Sequence, residues 1–201
     1  TALGYFAMRS NTTGYANTAV GSQSFWRNTT GYRNTAMGYV ALSRNTTGYA
    51  NSVFGYDAAG FNSTGKFNVA IGDSSLNANT TGNGNTAIGY NTFSNLNITA
   101  DDGSGNNTAI GNNTGGGIIT GINNTIIGAN VSGLSATLSN NIIIADGSGN
   151  QRINVGSTGN VGIGTTTPSS LLTLASSTST TGGIAFGDTL LYRSAINTLA
   201  L

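Results

Sequence analysis

The 201-residue chain has no cysteine, no histidine and no glutamate, and its one proline is Pro168. Without cysteine there is no disulfide framework. Without cysteine or histidine a zinc site of the usual kind is impossible. The commonest general base near neutral pH is missing as well. Charge is scarce: 7 Lys or Arg and 6 Asp make up 6% of the chain, against about a quarter in an ordinary soluble domain. A net charge of +1 argues against a nucleic-acid binder that works through a dense basic surface. No apolar run approaches the roughly 18 residues of a transmembrane helix. The opening Thr1-Ala2-Leu3-Gly4 is not a charged and then apolar leader. It falls inside a repeat frame, so the chain reads as a piece of a longer or processed protein, and the missing leader says nothing about secretion.

What is present is narrow. The 31 Gly, 28 Asn, 30 Thr and 21 Ser together make 110 residues, more than half the chain. Polar, weakly charged chains rich in Gly and Ser can be disordered. Against that stand a hydrophobic fraction of 37% and a periodic placement of the apolar residues.

The period is 17. Asn17-Thr18-Ala19-Val20-Gly21 recurs as Asn34-Thr35-Ala36-Met37-Gly38, Asn51-Ser52-Val53-Phe54-Gly55, Asn68-Val69-Ala70-Ile71-Gly72 and Asn85-Thr86-Ala87-Ile88-Gly89. One interval of 22 follows, and then Asn107-Thr108-Ala109-Ile110-Gly111, Asn124-Thr125-Ile126-Ile127-Gly128 and Asn141-Ile142-Ile143-Ile144-Ala145. Between them runs a second half-repeat, Asn11-Thr12-Thr13-Gly14 and its equivalents at Asn28, Asn45, Asn62 and Asn79. Thr, Val and Ile are enriched and Gly interrupts every few residues, which excludes a helix. Two short strands and two turns fit a 17-residue coil, with Asn and Gly at the turns. Coils stacked at about 4.8 Å make a parallel β-roll or β-solenoid over residues 1–145, a rod of roughly 40 Å. The fold class is all-β, with residues 146–201 a β-rich connector, stalk or prism.

In a solenoid, residues one period apart stack into columns. One column is Leu3, Val20, Met37, Phe54, Ile71, Ile88, Ile110, Ile127 and Ile144, and it is expected to be buried. Its neighbour in sequence is Ala2, Ala19, Ala36, Val53, Ala70, Ala87, Ala109, Ile126 and Ile143. Adjacent strand residues face opposite ways, so both faces of one strand look buried, as in sheets covered on both sides. Either the small column fills a thin roll and the large one packs against other chains, or the reverse. Rolls are expected to associate through this strand, a closed cyclic trimer being the most economical assembly for a rod. The alternative is a monomeric roll covered by a loop or another domain.

The asparagine column is a structural ladder of stacked amides and Asx turns. Asn11, Asn28 and Asn45 also sit in glycosylation sequons that the repeat generates by itself. Tyrosines gather in the N-terminal half, Tyr15, Tyr32 and Tyr49 in one ladder and Tyr39 and Tyr56 in another. Trp26, Arg27, Arg33 and Arg44 lie in the same half. Stacked aromatics stabilise a ladder; the functional alternative is a contact surface, because Tyr, Trp and Arg dominate binding hot spots.

The Asn-Thr-Ala-Ile-Gly and Asn-Ser-Val-Phe-Gly motifs resemble the head repeats of trimeric autotransporter adhesins over residues 1–145. The segment Gly159-Asn160-Val161-Gly162-Ile163-Gly164 through Leu174 resembles a linker of long bacterial surface fibres and phage tail fibres. Both resemblances imply a left-handed roll or fibre of three chains, extracellular and without catalytic activity.

After Ala145 the period fails. Asp146–Asn150 reads as a turn, and Arg152–Val155, Asn160–Ile163, Leu171–Leu174, Gly183–Phe186 and Leu190–Tyr192 as short strands. Asp101-Asp102-Gly103-Ser104-Gly105-Asn106 carries part of a calcium loop's pattern, but without the terminal Glu and the full spacing it reads as a surface loop. Serine has no histidine base, and Lys66 is the one lysine that could form a Ser-Lys pair. Gly162-Ile163-Gly164 is no nucleotide loop, since no helix follows. No catalytic residue, metal or cofactor is expected. The leading expectation is a rod-like homotrimeric adhesive fibre at the cell surface. It would contact itself (end to end in a filament as one option) and a host cell, neighbouring cell or solid, without nucleic acid or membrane insertion. The alternatives are a phage tail-fibre shaft on a virion, an ice-binding solenoid built on the threonine column of Thr12, Thr29, Thr46 and Thr80, and a purely structural filament.

Overall fold

The computed structural model describes residues 1–99 and 104–175, together with the strand backbones of 184–186, 189–195 and 198–200. Among them there are strands, turns and bends but no helix. Nine rungs stack in register: Ala2–Leu3 (β1), Thr18–Val20 (β2), Thr35–Met37 (β3), Ser52–Phe54 (β4), Val69–Ile71 (β5), Thr86–Ile88 (β6), Thr108–Ile110 (β7), Thr125–Ile127 (β8) and Ile142–Ala145 (β9). Each pairs in parallel with the next, Ala19 on Ala36, Ala36 on Val53, Val53 on Ala70. The result is a solenoid of about eight coils with a 17-residue period.

The 22-residue interval does not disturb the ladder. Thr86 still pairs with Thr108. Stacking at 17 holds as far as Thr81, whose hydroxyl donates to Ile98 O. Asn83 already pairs with Gly105. The stacking offset therefore changes from 17 to 22 between Ile98 and Ser104. Asp101, Asp102 and Gly103 of the calcium-like sequence lie outside the described residues.

Each coil has one strand, not two. The Asn-Thr-Thr-Gly half-repeat is a turn. The amides of Thr12, Thr13 and Gly14 all donate to the single carbonyl of Thr29, at 3.0, 3.1 and 3.3 Å. Asn11 Nδ2 closes the turn onto Gly14 O at 2.9 Å. Three donors on one acceptor is turn geometry, and it leaves no strand ladder to extend. The stretch after each strand is also non-strand. Gly21, Gln23 and Phe25 have φ of 122°, 56° and 51°, so every second residue is left-handed. Gln23 N–H donates to Tyr5 O in the coil before, and Phe25 N–H to Ala41 O in the coil after. Successive coils are thus stitched along the axis without extended backbone.

The core lies inside the coil. Ala19, Ala36, Val53, Ala70, Ala87, Ala109, Ile126 and Ile143 are fully buried there. They face Phe25, Leu42, Leu76 and Phe93, buried side chains of the left-handed segment. The neighbouring column points outward and is not in the core. Met37, Phe54, Ile71, Ile110, Ile127 and Ile144 remain 37–43% exposed and Leu3 67%, while Val20 and Ile88 are half-buried. Strand alternation leaves no other choice once the small residues fill the interior.

Beyond the solenoid, Gln151–Val155 (β10) pairs antiparallel with β9, Val161–Ile163 (β11) antiparallel with β10, and Leu172–Leu174 (β12) parallel with β11. Asp146 shapes the first of these hairpins. Its carboxylate accepts from Asn150 Nδ2 and from Arg152 Nε at 2.9 Å. Ile184–Phe186 (β13), Thr189–Ala195 (β14) and Thr198–Ala200 (β15) form a separate antiparallel sheet. All five C-terminal strands expected from the sequence are present, and β15 was not expected; Gly183 lies outside the described residues.

Candidate functional site

Two asparagine ladders run along the rod. In the first, Asn51 N–H and Nδ2 both donate to Asn34 Oδ1 at 3.0 Å, and Asn51 Oδ1 accepts Asn68 N–H at 3.0 Å. In the second, Asn28, Asn45, Asn62 and Asn79 each donate Nδ2 to the Oδ1 of the coil before. That ladder stops where Leu96 takes the next position, and Asn79 Oδ1 is left buried without a partner. Asn28 and Asn45 are wholly buried with their amides engaged, so these sequons are closed to modification in the folded coil. These columns are structural.

The surface columns differ between the two halves of the rod. Tyr15, Tyr32 and Tyr49 stack with ring centroids 5.0 and 4.7 Å apart and planes within 6°. The stack ends on Phe67, edge-on to Tyr49 at 5.1 Å. Lys66, next in the column, holds its ammonium 5.7 Å from the Tyr49 ring centre, which accounts for it without a serine partner. Arg33 sits 5.9 Å over Tyr32.

Tyr39 and Tyr56 form a second stack at 5.6 Å, and this one borders a cleft of about 370 Å³. Trp26, Arg27 and Arg44 line the same cleft with Asp57 and Phe61. Arg27 lies 5.4 Å over the Trp26 ring and Arg44 3.6 Å over Phe61. The backbone brings them together: Arg27 N–H donates to Ser43 O at 2.9 Å and Arg44 N–H to Gly60 O at 3.3 Å, so the two arginines start from adjacent coils. Of the nine contact residues expected from the sequence, five meet in this cleft. Tyr15, Tyr32, Tyr49 and Arg33 form a separate ladder. Asp57 and Phe61 were not anticipated, although Phe61 stands one period beyond Arg44 and Asp57 one period beyond Val40.

The threonine column is already engaged. Thr12, Thr29 and Thr46 donate their hydroxyls to carbonyls of the next coil at 2.8, 3.0 and 3.2 Å, and Thr80 donates to Asn97. Among the described residues no group of three or more Asp, Glu, His or Cys could hold a metal, and no helix is long and apolar enough to cross a membrane. No protein-family model, curated protein or solved structure matches the chain.

Proposed function

We propose that the chain is the rod of a homotrimeric, non-enzymatic extracellular fibre that attaches a cell surface to another cell or to a solid. The observation that carries this reading is the outward apolar column from Leu3 to Ile144. Scattered exposed apolar residues are ordinary, but a continuous stripe roughly 40 Å long marks an interface. Turned toward a threefold axis, three such stripes would bury one another and close the assembly without leaving a free face. The column beside it, Thr18, Thr35, Ser52, Thr86, Thr108 and Thr125 with Val69 between Ser52 and Thr86, is half-buried in the single chain and would rim that contact. Adhesion rests on the aromatic and basic residues of the N-terminal coils. A virion tail-fibre shaft is the same object in another place, and nothing in the geometry prefers it. The threonine hydroxyls committed within the coil weigh against ice binding.

The test is the mass in solution. Light scattering of the chain is expected to give three times its 20.2 kDa. The double substitution Ile71→Lys with Ile110→Lys is expected to release monomers that keep the β spectrum. A monomer at every concentration of the unaltered chain would refute the trimer. Beads coated with the chain, scored for retention on cells and on mineral or polymer surfaces, test attachment. No retention above an albumin control would refute adhesion.

A further inference from the structure

We propose that the cleft of the N-terminal coils binds an acidic polysaccharide, with a carboxylate-bearing sugar between Arg27, Arg44 and Asp57. The proposal deepens the adhesive reading and rests on it.

The first support is where charge sits. Five of the seven basic residues, Arg9, Arg27, Arg33, Arg44 and Lys66, fall within the first 66 positions, and Asp57 is the only acid there. The formally near-neutral chain therefore carries a positive end, and a lined cleft focuses that field on an approaching anion. Among the described residues the one ion pair is Arg152–Asp146, far along the sequence. Among the described residues the side chains of Arg27 and Arg44 have no hydrogen-bond or ion-pair partner; each guanidinium rests on a ring instead. Stacking fixes the plane of the fork and leaves its N–H edge for an outside acceptor. Two cations rising from adjacent coils repel, and an anion shared between them relieves that repulsion.

The second support is the neighbour. Asp57 is an acceptor-only group in a cleft rich in donors. It disfavours a bare array of phosphates or sulfates, but it accepts the hydroxyl pair of a sugar. The rings are also placed against nucleic acid. Binders of single strands offer open aromatic faces to bases, whereas Tyr39 and Tyr56 stack on each other and Arg44 covers Phe61.

Trp26 is the only tryptophan, so its fluorescence reports on the cleft. The full chain would be titrated with polygalacturonate oligosaccharides, with neutral dextran oligosaccharides and with a single-stranded oligonucleotide of equal charge. Saturable binding of the uronate is expected, at least tenfold tighter than either control. Arg27→Gln and Arg44→Gln are each expected to weaken it about tenfold, the value of one lost charge-assisted bond. Asp57→Asn is decisive: sugar recognition predicts weaker binding, while simple attraction of a polyanion predicts stronger binding. No fluorescence response, equal binding of dextran or oligonucleotide, or a gain in Asp57→Asn would each overturn the proposal. The bead assay run with the same variants separates the two readings, since retention that survives Arg27→Gln with Arg44→Gln leaves adhesion standing and removes this site from it.

Discussion

Replacing Asn51 with alanine is expected to destabilise the rod by about 3–5 kcal/mol. Asn51 Oδ1 is the acceptor for the buried Asn68 N–H, at 3.0 Å. Without it that amide has no partner, which costs about 1–3 kcal/mol. Asn51 Nδ2 donates to Asn34 Oδ1 at 3.0 Å and to Gly65 O at 2.9 Å. Those two lost bonds add about 1 kcal/mol each. Neither acceptor is orphaned, because Asn51 N–H still reaches Asn34 Oδ1 and Asn62 Nδ2 still reaches Gly65 O. The control is the end of the same ladder. Among the described residues the Asn141 side chain makes a single bond, Nδ2 to Ser139 O at 2.7 Å, so Asn141→Ala is expected to lose only about 1 kcal/mol. Urea unfolding of the three proteins, followed by circular dichroism, gives the comparison. If Asn51→Ala costs no more than Asn141→Ala, the ladder is not a chain of obligate hydrogen bonds and the reasoning fails.

Gly38→Ala is expected to cost more than 3 kcal/mol, since φ is 139° and a Cβ would stand 2.2 Å from Gly55 O. Gly147→Ala, with nothing within 4 Å, should stay within about 0.5 kcal/mol in the same thermal melts. Ala50, left-handed at φ 55°, stands in the column that later carries Asn106, Asn123 and Asn140; Ala50→Asn is expected to stabilise by about 0.5–1 kcal/mol in urea, and a loss would refute strain at that column. Asp146 is held at about 2, below its ordinary 3.8, chiefly by the Asn150 side chain and then by Arg152. A lowered carboxylate stabilises the fold above its ordinary value and loses that contribution as pH falls from about 4 to 2. Amide protection factors in the hairpin of residues 142–155, taken relative to the intrinsic exchange rate at each pH, should therefore fall over that window, and Asp146→Asn should remove the change.

The repeat arithmetic located every rung of the solenoid, because a parallel ladder repeats its own pattern at the coil length. It narrowed the interior to one of two adjacent columns, and the structure places the Ala and Val column inside. The second half-repeat misled, since Thr-Thr reads as strand. Only the convergence of Thr12, Thr13 and Gly14 on one carbonyl makes it a turn. Nor does any residue type announce the left-handed backbone at Phe25 or Leu42. Those conformations are imposed by burial and by bonds to both neighbouring coils. The cleft was half visible. Tyr, Trp and Arg pointed to the N-terminal coils, but the partition into a ladder and a cleft depends on which columns adjoin across coils.

The variation inside the coil has a further consequence. A strictly repetitive chain could fold with any coil displaced by 17 residues, asparagine still beneath asparagine and glycine beneath glycine. Such slipped states would differ little in energy from the native one. The left-handed column changes from Phe25 to Leu42, Ala59, Leu76 and Phe93, and the coil that carries Ala59 is the one with Val53 in place of alanine. Phe93 then overhangs Gly115, where a Cβ would lie 2.3 Å from Cδ1 of the ring. These departures act like the unequal teeth of a key. They leave one registration well packed, so the irregular positions, rather than the repeated ones, give the chain a single address for each coil.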